Sequence, residues 1–266
     1  MMNLFWREMK AHRKSLMTWC IGMILLIASG MGKYAGFSSS GQSMDELMGA
    51  MPASLKTITG MGSFDLSLAT GFYGVLFLYM VLLATVHAVL LGATIISKEE
   101  RDKTAEFLFV KPVSRTKVIV TKMLAALTNV LVLTLVSAVT SLFMVGYYSD
   151  GEPYIENVLV TIFGMLILQI LFLGIGTMVG AGYKKSGKAA TLSSAILLLA
   201  FLLSVAVDLS DALDGVKYIT PFKYFEADQV MYGGGLDPVL VGVSVVLVAI
   251  TAALTLLFYR RRDLHV

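Results

Sequence analysis

Two glycines and a lysine in one short segment resemble a phosphate-binding loop. In AGYKKSGKAAT, residues 181–191, Gly182, Gly187 and Lys188 match most of the pattern G-x-x-x-x-G-K-[ST]. Such a loop needs a strand before the first glycine and a Ser or Thr hydroxyl after the lysine to hold Mg²⁺. Ala189 occupies the hydroxyl position, and an apolar, helix-like run precedes Gly182. We therefore expect a basic loop between two helices and no nucleotide bound by this chain.

The other residue types that bind metals or act in catalysis are few and scattered. His12, His87 and His265 lie far apart in sequence, and Cys20 is the single cysteine. A zinc site needs clustered Cys and His ligands, so we expect no metal and no cofactor in this chain. His87, Asn129 and Gln169 are polar residues inside long apolar stretches. Such residues either line a substrate path or hydrogen-bond between helices, and the sequence leaves both readings open.

The composition is that of a membrane protein. Of the 266 residues, 57% are hydrophobic and 15% are charged, whereas a soluble domain is about a quarter charged. Mean hydropathy is +0.79. A bilayer is crossed by about 20 apolar helical residues. Six stretches approach or exceed that length: residues 16–31, 72–96, 122–146, 158–180, 189–207 and 239–259. The first of these is the shortest, and we expect its helix to extend back into the basic segment before it.

The distribution of charge sets the orientation of these spans. With both termini in the cytoplasm, the inner segments hold all of the 21 Lys and Arg residues except Lys33, Lys56, Lys217 and Lys223. Most of the 18 acidic residues lie in the outer segments. Excess positive charge marks cytoplasmic loops. The sequence thus predicts an all-α, multi-pass protein of the plasma membrane, with one domain over residues 1–266 and both termini cytoplasmic.

Two further patterns concern the helices themselves. Residues 1–15 interleave apolar Phe5, Trp6 and Met9 with basic residues, which is typical of an interfacial amphipathic helix. Gly176 and Gly180, with Gly174 and Gly182 beside them, form a small-residue face of the G-x-x-x-G kind. That face predicts close helix packing, within the subunit or across a dimer. Glycine is also simply common in membrane helices.

The predicted cytoplasmic segment 98–117 contains an apolar run that must be buried against another surface. Thr104 or Asp102 can cap a short helix, Pro112 ends it, and residues 107–110 between them are Phe-Leu-Phe-Val. Four consecutive apolar residues are abnormal in a solvated loop, and so short a helix is not stable alone. Either the helix lies on the membrane surface or it docks into another protein.

This segment resembles the signature of ABC-2 type transporter permeases. The pattern has one or two acids after the second span, then approximately T-x-E-x-L-x-x-x-P-x-S-R and a lysine shortly after. The matching residues are Glu99 or Glu100, Thr104, Glu106, Leu108, Pro112, Ser114, Arg115 and Lys122. The chain departs from the pattern at Lys103, where the family usually has glycine. Segment 219–238, with its Pro-Phe, Tyr-Phe and triple glycine, resembles the stretch before the last span of these permeases.

The resemblance implies a specific architecture. Residues 1–15 would be the elbow helix, residues 98–117 the cytoplasmic coupling loop, and residues 208–238 an outer segment of re-entrant helices before the last span. The coupling helix would sit in a groove of a separate ATPase subunit, which would hold ATP and Mg²⁺. Residues expected at this contact are Glu99, Glu100, Arg101, Thr104, Glu106, Phe107, Leu108, Phe109, Pro112, Ser114 and Arg115.

The function implied is export driven by a partner. A second permease copy, or a similar permease, would complete the translocation path within the lipid bilayer, and no nucleic acid is involved. The short chain without a large outer domain favours a hydrophobic or amphipathic substrate. Two other classes compete: a self-sufficient secondary carrier or channel, which needs midplane charges or broken helices, and a membrane-embedded hydrolase. The catalytic strings H-E-x-x-H and G-x-S-x-G do not occur.

Overall fold

The computed structural model describes residues 2–39, 64–101, 114–183, 186–209 and 211–261, together with residues 52, 56 and 61. In chain order, the long helices are α1 (Met2–Ser39), α2 (Ala69–Arg101), α3 (Arg115–Tyr148), α4 (Ile155–Gly182) and α5 (Ala189–Leu209). A short helix α6 (Ala227–Tyr232) precedes the last helix, α7 (Pro238–Arg261). Short 3₁₀ helices cover Ser186–Lys188, Asp211–Ile219 and Pro221–Tyr224.

Six of these helices, α1 to α5 and α7, are long and apolar enough to cross a membrane. The predicted six-span, all-helical fold is confirmed. Each predicted span lies within one helix, but most of the helices extend several residues further at one or both ends. The extension at α3 has a local cause, since Ser114 is its N-cap and its side chain accepts a hydrogen bond from the Lys117 amide.

The predicted amphipathic segment at the N-terminus is helical from Met2 and continues without a break into the first span. Trp6 is 56% exposed, which fits contact with the lipid headgroup region. Glu8, by contrast, is buried, and its carboxylate forms an ion pair with the Arg7 guanidinium at 2.7 Å. The segment therefore has one face against the protein, and its role as a separate elbow stays a prediction.

Helices α2 and α4 form the centre of the structure, and glycine lets them approach closely. A side-chain carbon on Gly180 would lie 2.7 Å from the Ala93 carbonyl oxygen, and one on Gly92 would lie 2.6 Å from the Leu173 carbonyl oxygen. A carbon on Gly176 would overlap the Val89 carbonyl. The small-residue face of α4 is thus packed within the subunit, against the backbone of α2.

The other glycines of α4 face the last span. A side-chain carbon on Gly182 would lie 2.9 Å from the Phe258 ring, and one on Gly174 would overlap the Thr251 hydroxyl. The Thr177 and Thr255 hydroxyls are 3.2 Å apart between the same two helices. Helix α4 therefore contacts α2 on one side and α7 on the other, with backbone and short polar side chains at both seams.

Candidate functional site

The two ends of the predicted coupling loop are visible in the structure. Glu99, Glu100 and Arg101 are the last residues of α2, while Ser114 and Arg115 begin α3. The remaining predicted contact residues lie outside the described residues: Thr104, Glu106, Phe107, Leu108, Phe109 and Pro112. The coupling helix itself stays a prediction, but the framework from which it projects is defined.

Lys122 joins the two helices that carry this loop. It lies two turns into α3 and is fully buried. Its ammonium Nζ donates a 2.5 Å hydrogen bond to the carbonyl oxygen of Ile95 in α2. A buried ammonium needs hydrogen-bond acceptors to offset the cost of leaving water. The bond therefore joins α2 and α3 two turns from the start of α3.

The last helix contributes a further contact at the same base. Arg260, at the C-terminal end of α7, donates from Nε to the Thr116 hydroxyl at 3.2 Å. Tyr259 beside it is buried. The α3 end of the loop is therefore held by the Ser114 cap, by Lys122 and by α7. Sequence reasoning identified Lys122 only as a match to the family pattern, and gave no sign of its burial or of its partner.

The glycine-lysine segment joins two helices. Gly182 is the last residue of α4, Tyr183 caps that helix through its backbone N–H to the Val179 carbonyl, and Ser186–Lys188 form one 3₁₀ turn before α5. The predicted context of a loop between two helices is correct. The described residues up to Gly182 are helical, whereas a phosphate-binding loop follows a strand.

The polar residues predicted inside the spans make contacts between helices. Gln169 of α4 donates from Nε2 to the Thr134 hydroxyl of α3 at 2.9 Å. Asn129 of α3 donates from Nδ2 to the Ala125 carbonyl at 2.7 Å and contacts the Met9 sulfur of α1 at 3.2 Å. Both side chains are buried and serve helix association in this arrangement. Contact with a substrate remains a prediction for them.

His87 differs from these two. It is buried in α2, and its ring centre lies 5.5 Å from that of Trp19 in α1. Its Nδ1 atom has no hydrogen-bond partner among the described residues. The ring therefore packs against an aromatic neighbour, and contact with a substrate stays a prediction for it.

The segment between α5 and α7, which the resemblance places on the outer side, contains short helices. The 3₁₀ helix Pro221–Tyr224 is anchored by Phe222, whose ring lies 5.1 Å from Phe172 and 5.5 Å from Phe201. These contacts tie the segment to α4 and α5. Its depth relative to the bilayer stays a prediction.

An ion pair joins this segment to α5, and a second lies within it. Lys223 contacts the carboxylates of both Asp208 and Glu226, the latter at 2.5 Å. Burial raises the pKa of Glu226 to about 7, against the opposing effect of Lys223. The negative charges of Asp208 and Asp228 act in the same direction as burial and also raise this pKa. The hydrogen bonds and charges of the two carboxylates outweigh burial at Lys223 and raise its pKa.

Comparison with known proteins gives one result that covers nearly the whole chain. A family model described as "ABC-2 family transporter protein" matches residues 2–264. No curated protein matches the chain. The family match includes all six spans and both loops discussed above.

Proposed function

Because the chain belongs to the ABC-2 transporter family, we propose that it is the permease subunit of an ATP-binding cassette exporter. The protein is a multi-pass membrane component of a transporter. The finer proposal is that it lies in the plasma membrane with both termini in the cytoplasm. It would form the path for a hydrophobic or amphipathic substrate, and a separate ATPase subunit would supply the energy.

The observation that supports this proposal is the hydrogen bond between α2 and α3 next to the predicted coupling loop. The buried Lys122 bond to the Ile95 carbonyl joins the two helices that enter and leave the loop. A segment anchored in this way can pass a push from a docked partner into α2 and α3 as a displacement of whole helices. A solvated connecting loop has no need of a buried ammonium at its base.

ATP and Mg²⁺ belong to the partner in this proposal. The chain itself would be non-catalytic, and Lys188 would be an ordinary cytoplasmic lysine. Purified permease is therefore expected to bind no ATP, and Lys188→Ala should change neither transport nor ATP hydrolysis by the complex. Tight ATP binding that is lost in Lys188→Ala would contradict this assignment.

A second permease copy, or a similar chain, is the other proposed partner. Helices α1, α5 and α7 are mostly uncovered within the subunit, as shown by Leu25, Leu199 and Val245, which are each more than half exposed. Lipid covers part of this surface. Part of it is available to a second permease, which would complete a path between two subunits.

The proposal is tested at the apolar residues of the loop. Replacing Phe107 and Phe109 with Asp should leave membrane insertion unchanged, because neither residue lies in a span. Burying one Phe contributes about 1.5–3 kcal/mol, and each 1.4 kcal/mol is about tenfold in affinity. Loss of both contacts should weaken co-purification of the ATPase subunit by about a hundredfold or more, and abolish substrate-stimulated ATP hydrolysis.

A matched control lies on the opposite side of the membrane. Tyr218 and Ile219 are exposed apolar residues of the outer segment, and their replacement with Asp introduces the same two charges away from the loop. The control should assemble normally. Normal assembly of the Phe107 and Phe109 variant would show that the loop helix lies on the lipid surface, and the ATP-driven proposal would lose its main physical support.

A further inference from the structure

Residues 220–232, which we call the anchored segment, carry a charged side chain in the middle of an apolar contact. Phe222 packs between α4 and α5, as described above, and Phe225 is buried against α4. A side-chain carbon on Gly164 of α4 would lie 3.0 Å from the Phe225 Cβ. Lys223 lies between these two phenylalanines, and its side chain is only 9% exposed. The ammonium is therefore held close to apolar surface.

This one ammonium serves two carboxylates. Lys223 donates from Nζ to Glu226 Oε1 at 2.5 Å and to a carboxylate oxygen of Asp208 in α5. The second oxygen of Glu226 accepts a hydrogen bond from Gln229 Nε2 at 3.1 Å. Gln229 is neutral, so it adds a donor but no charge. With both carboxylates ionised, the three charged groups carry one negative charge in excess.

The other charges nearby do not remove this excess. Asp228 lies in the same segment, and its negative charge also acts on Glu226. Lys217, on the adjoining 3₁₀ helix, is exposed, and its ammonium lies 5.4 Å from the centre of the Tyr218 ring. Asp237, just before α7, accepts a backbone amide of that helix. The contacts with α4 are apolar. The described charges that act on Glu226 are therefore one ammonium and two carboxylates.

The two partners of Lys223 belong to different elements. Glu226 moves with the anchored segment, whereas Asp208 stays with α5. Separation of the segment from α5 would break the contact with Asp208 and expose Glu226 to water. An ion pair withdrawn from water seldom stabilises a protein more than apolar residues of the same size do, and a better-attested use is a switch between two arrangements.

We propose that Asp208, Lys223 and Glu226 form a proton-binding latch, in which Glu226 holds a proton while the anchored segment lies against α5 and releases it when the segment separates. A proton on Glu226 removes the excess charge and leaves a balanced pair between Lys223 and Asp208. Burial raises the pKa of Glu226 to about 7 from an ordinary value of 4.5, with Lys223 opposing and the two aspartates adding to the rise.

The sign of the pH dependence follows from these values. Below about pH 4.5 Glu226 is protonated in both arrangements, and above about pH 7 it is ionised in both. Between these limits separation releases a proton, so its equilibrium constant should rise by up to about tenfold per pH unit and level off above pH 7. The inference goes beyond the proposed function, since the proton site lies apart from the coupling loop.

The test measures opening and proton binding separately in purified permease in a maltoside detergent, without any ATPase subunit. Hydrogen–deuterium exchange of peptides from residues 220–232 is followed from pH 5 to pH 8, with each rate divided by the intrinsic exchange rate at that pH. The corrected exchange should rise between pH 5 and pH 7 and then level off. In infrared difference spectra, a protonated carboxyl band should disappear as pH rises through about 7. Glu226→Gln should abolish both changes and keep the segment protected.

Two further variants should move the transition in opposite directions. Asp208→Asn leaves one carboxylate for Lys223 and removes the excess charge, so the transition should move to lower pH. Lys223→Met removes the ammonium, so the transition should move to higher pH. A purely structural contact would loosen in both variants without opposite shifts. Should Glu226→Gln not fold, these two variants still test the latch.

The control is Asp237→Asn, which removes a carboxylate outside the latch. Asn retains the oxygen with which residue 237 accepts the Val239 amide at 2.8 Å, and the variant should keep the pH profile of the unsubstituted protein.

Four results would overturn the inference: exchange that does not change between pH 5 and pH 7, a pH dependence that persists in Glu226→Gln, shifts in the same direction in Asp208→Asn and Lys223→Met, or an equal loss in Asp237→Asn. The measurements need no partner subunit, so a failure here is distinct from failure of the coupling-loop test. A permease that shows the latch but does not assemble with an ATPase would contradict the proposed function alone.

Discussion

Replacement of Lys122 separates the packing role of this residue from its role in joining α2 to α3. The side chain is fully buried, and its Nζ atom reaches the Ile95 carbonyl at 2.5 Å. Lys122→Met keeps most of the stem volume and removes the ammonium. Lys122→Ala removes both. The two variants therefore differ in packing and agree in the loss of the bond between the helices.

The expected stability changes follow from this geometry. The lost charge-assisted hydrogen bond would cost about 1.5–3 kcal/mol, but burying methionine avoids the desolvation cost of the ammonium. The Ile95 carbonyl keeps the hydrogen bond of its own helix. We expect the free energy of unfolding of Lys122→Met to lie within about 1 kcal/mol of that of the unsubstituted protein. Lys122→Ala leaves a cavity and should lower the free energy of unfolding by about 2–5 kcal/mol.

Coupling should fail in both variants, whatever their stability. Without the ammonium, nothing in this contact fixes the distance between α2 and α3 below the loop. Stability is measured by thermal unfolding in detergent. Coupling is measured by ATPase co-purification and by ATP hydrolysis in membranes. Lys117→Met is the control, since Lys117 is an exposed lysine at the start of the same helix, and it should leave both readouts unchanged.

Two outcomes would refute this reasoning. A stable Lys122→Met variant with normal ATP hydrolysis would show that the bond to Ile95 does not set the loop for its partner. A Lys122→Met variant that unfolds as easily as Lys122→Ala would show that the hydrogen bond outweighs packing, and the magnitudes above would be wrong.

Three further predictions concern other parts of the chain. Gly176→Ala should destabilise the protein strongly, because the added side-chain carbon would overlap the Val89 carbonyl. Gly22→Ala is the control, because a carbon added at Gly22 meets open space and should not destabilise the protein. Thermal unfolding of the two variants tests this prediction. Burial raises the pKa of Glu226 to about 7, so the stability that this group confers is present at low pH and is lost as pH rises towards 7. Glu226→Gln should flatten this dependence of unfolding free energy on pH. An unchanged slope of unfolding free energy against pH would contradict the prediction. Cysteines placed at Val110 and Asp150 should be labelled from the cytoplasm and from outside, respectively; labelling of both from one side would contradict the six-span orientation.

The sequence predicted the helices well because membrane insertion depends on local composition. An apolar run of about 20 residues has few alternatives to a spanning helix, since backbone polar groups must be satisfied within the segment. The packing of Gly176 and Gly180 was also accessible, because a glycine face permits close approach of another backbone. The partner of that face, α2, could not be read from the sequence.

Buried charge was the main feature that the sequence did not reveal. Lys122 and Glu8 are both buried in the first turns of their helices. In the sequence each occurs among other charged residues next to an apolar run, which is the usual setting of an interfacial side chain. Burial depends on which helix covers the residue, and that is a property of tertiary packing. The hydrogen bond from Lys122 to the Ile95 carbonyl was inaccessible for the same reason, because the two residues lie in different helices.

Helix α2 runs from the predicted coupling loop to the opposite end of the helix bundle. It has 33 residues and, at 1.5 Å per residue, a length of about 50 Å. Its C-terminal end leads into the predicted coupling loop and is held by Lys122, while its N-terminal end begins at Ala69. Along its middle it packs backbone to backbone against α4, without intervening side chains that could absorb a displacement by changing rotamer. A push at the loop would therefore move α2 and α4 together. We infer that an ATPase stroke at the loop reaches the opposite ends of the spans through this helix pair, with no separate relay of side chains.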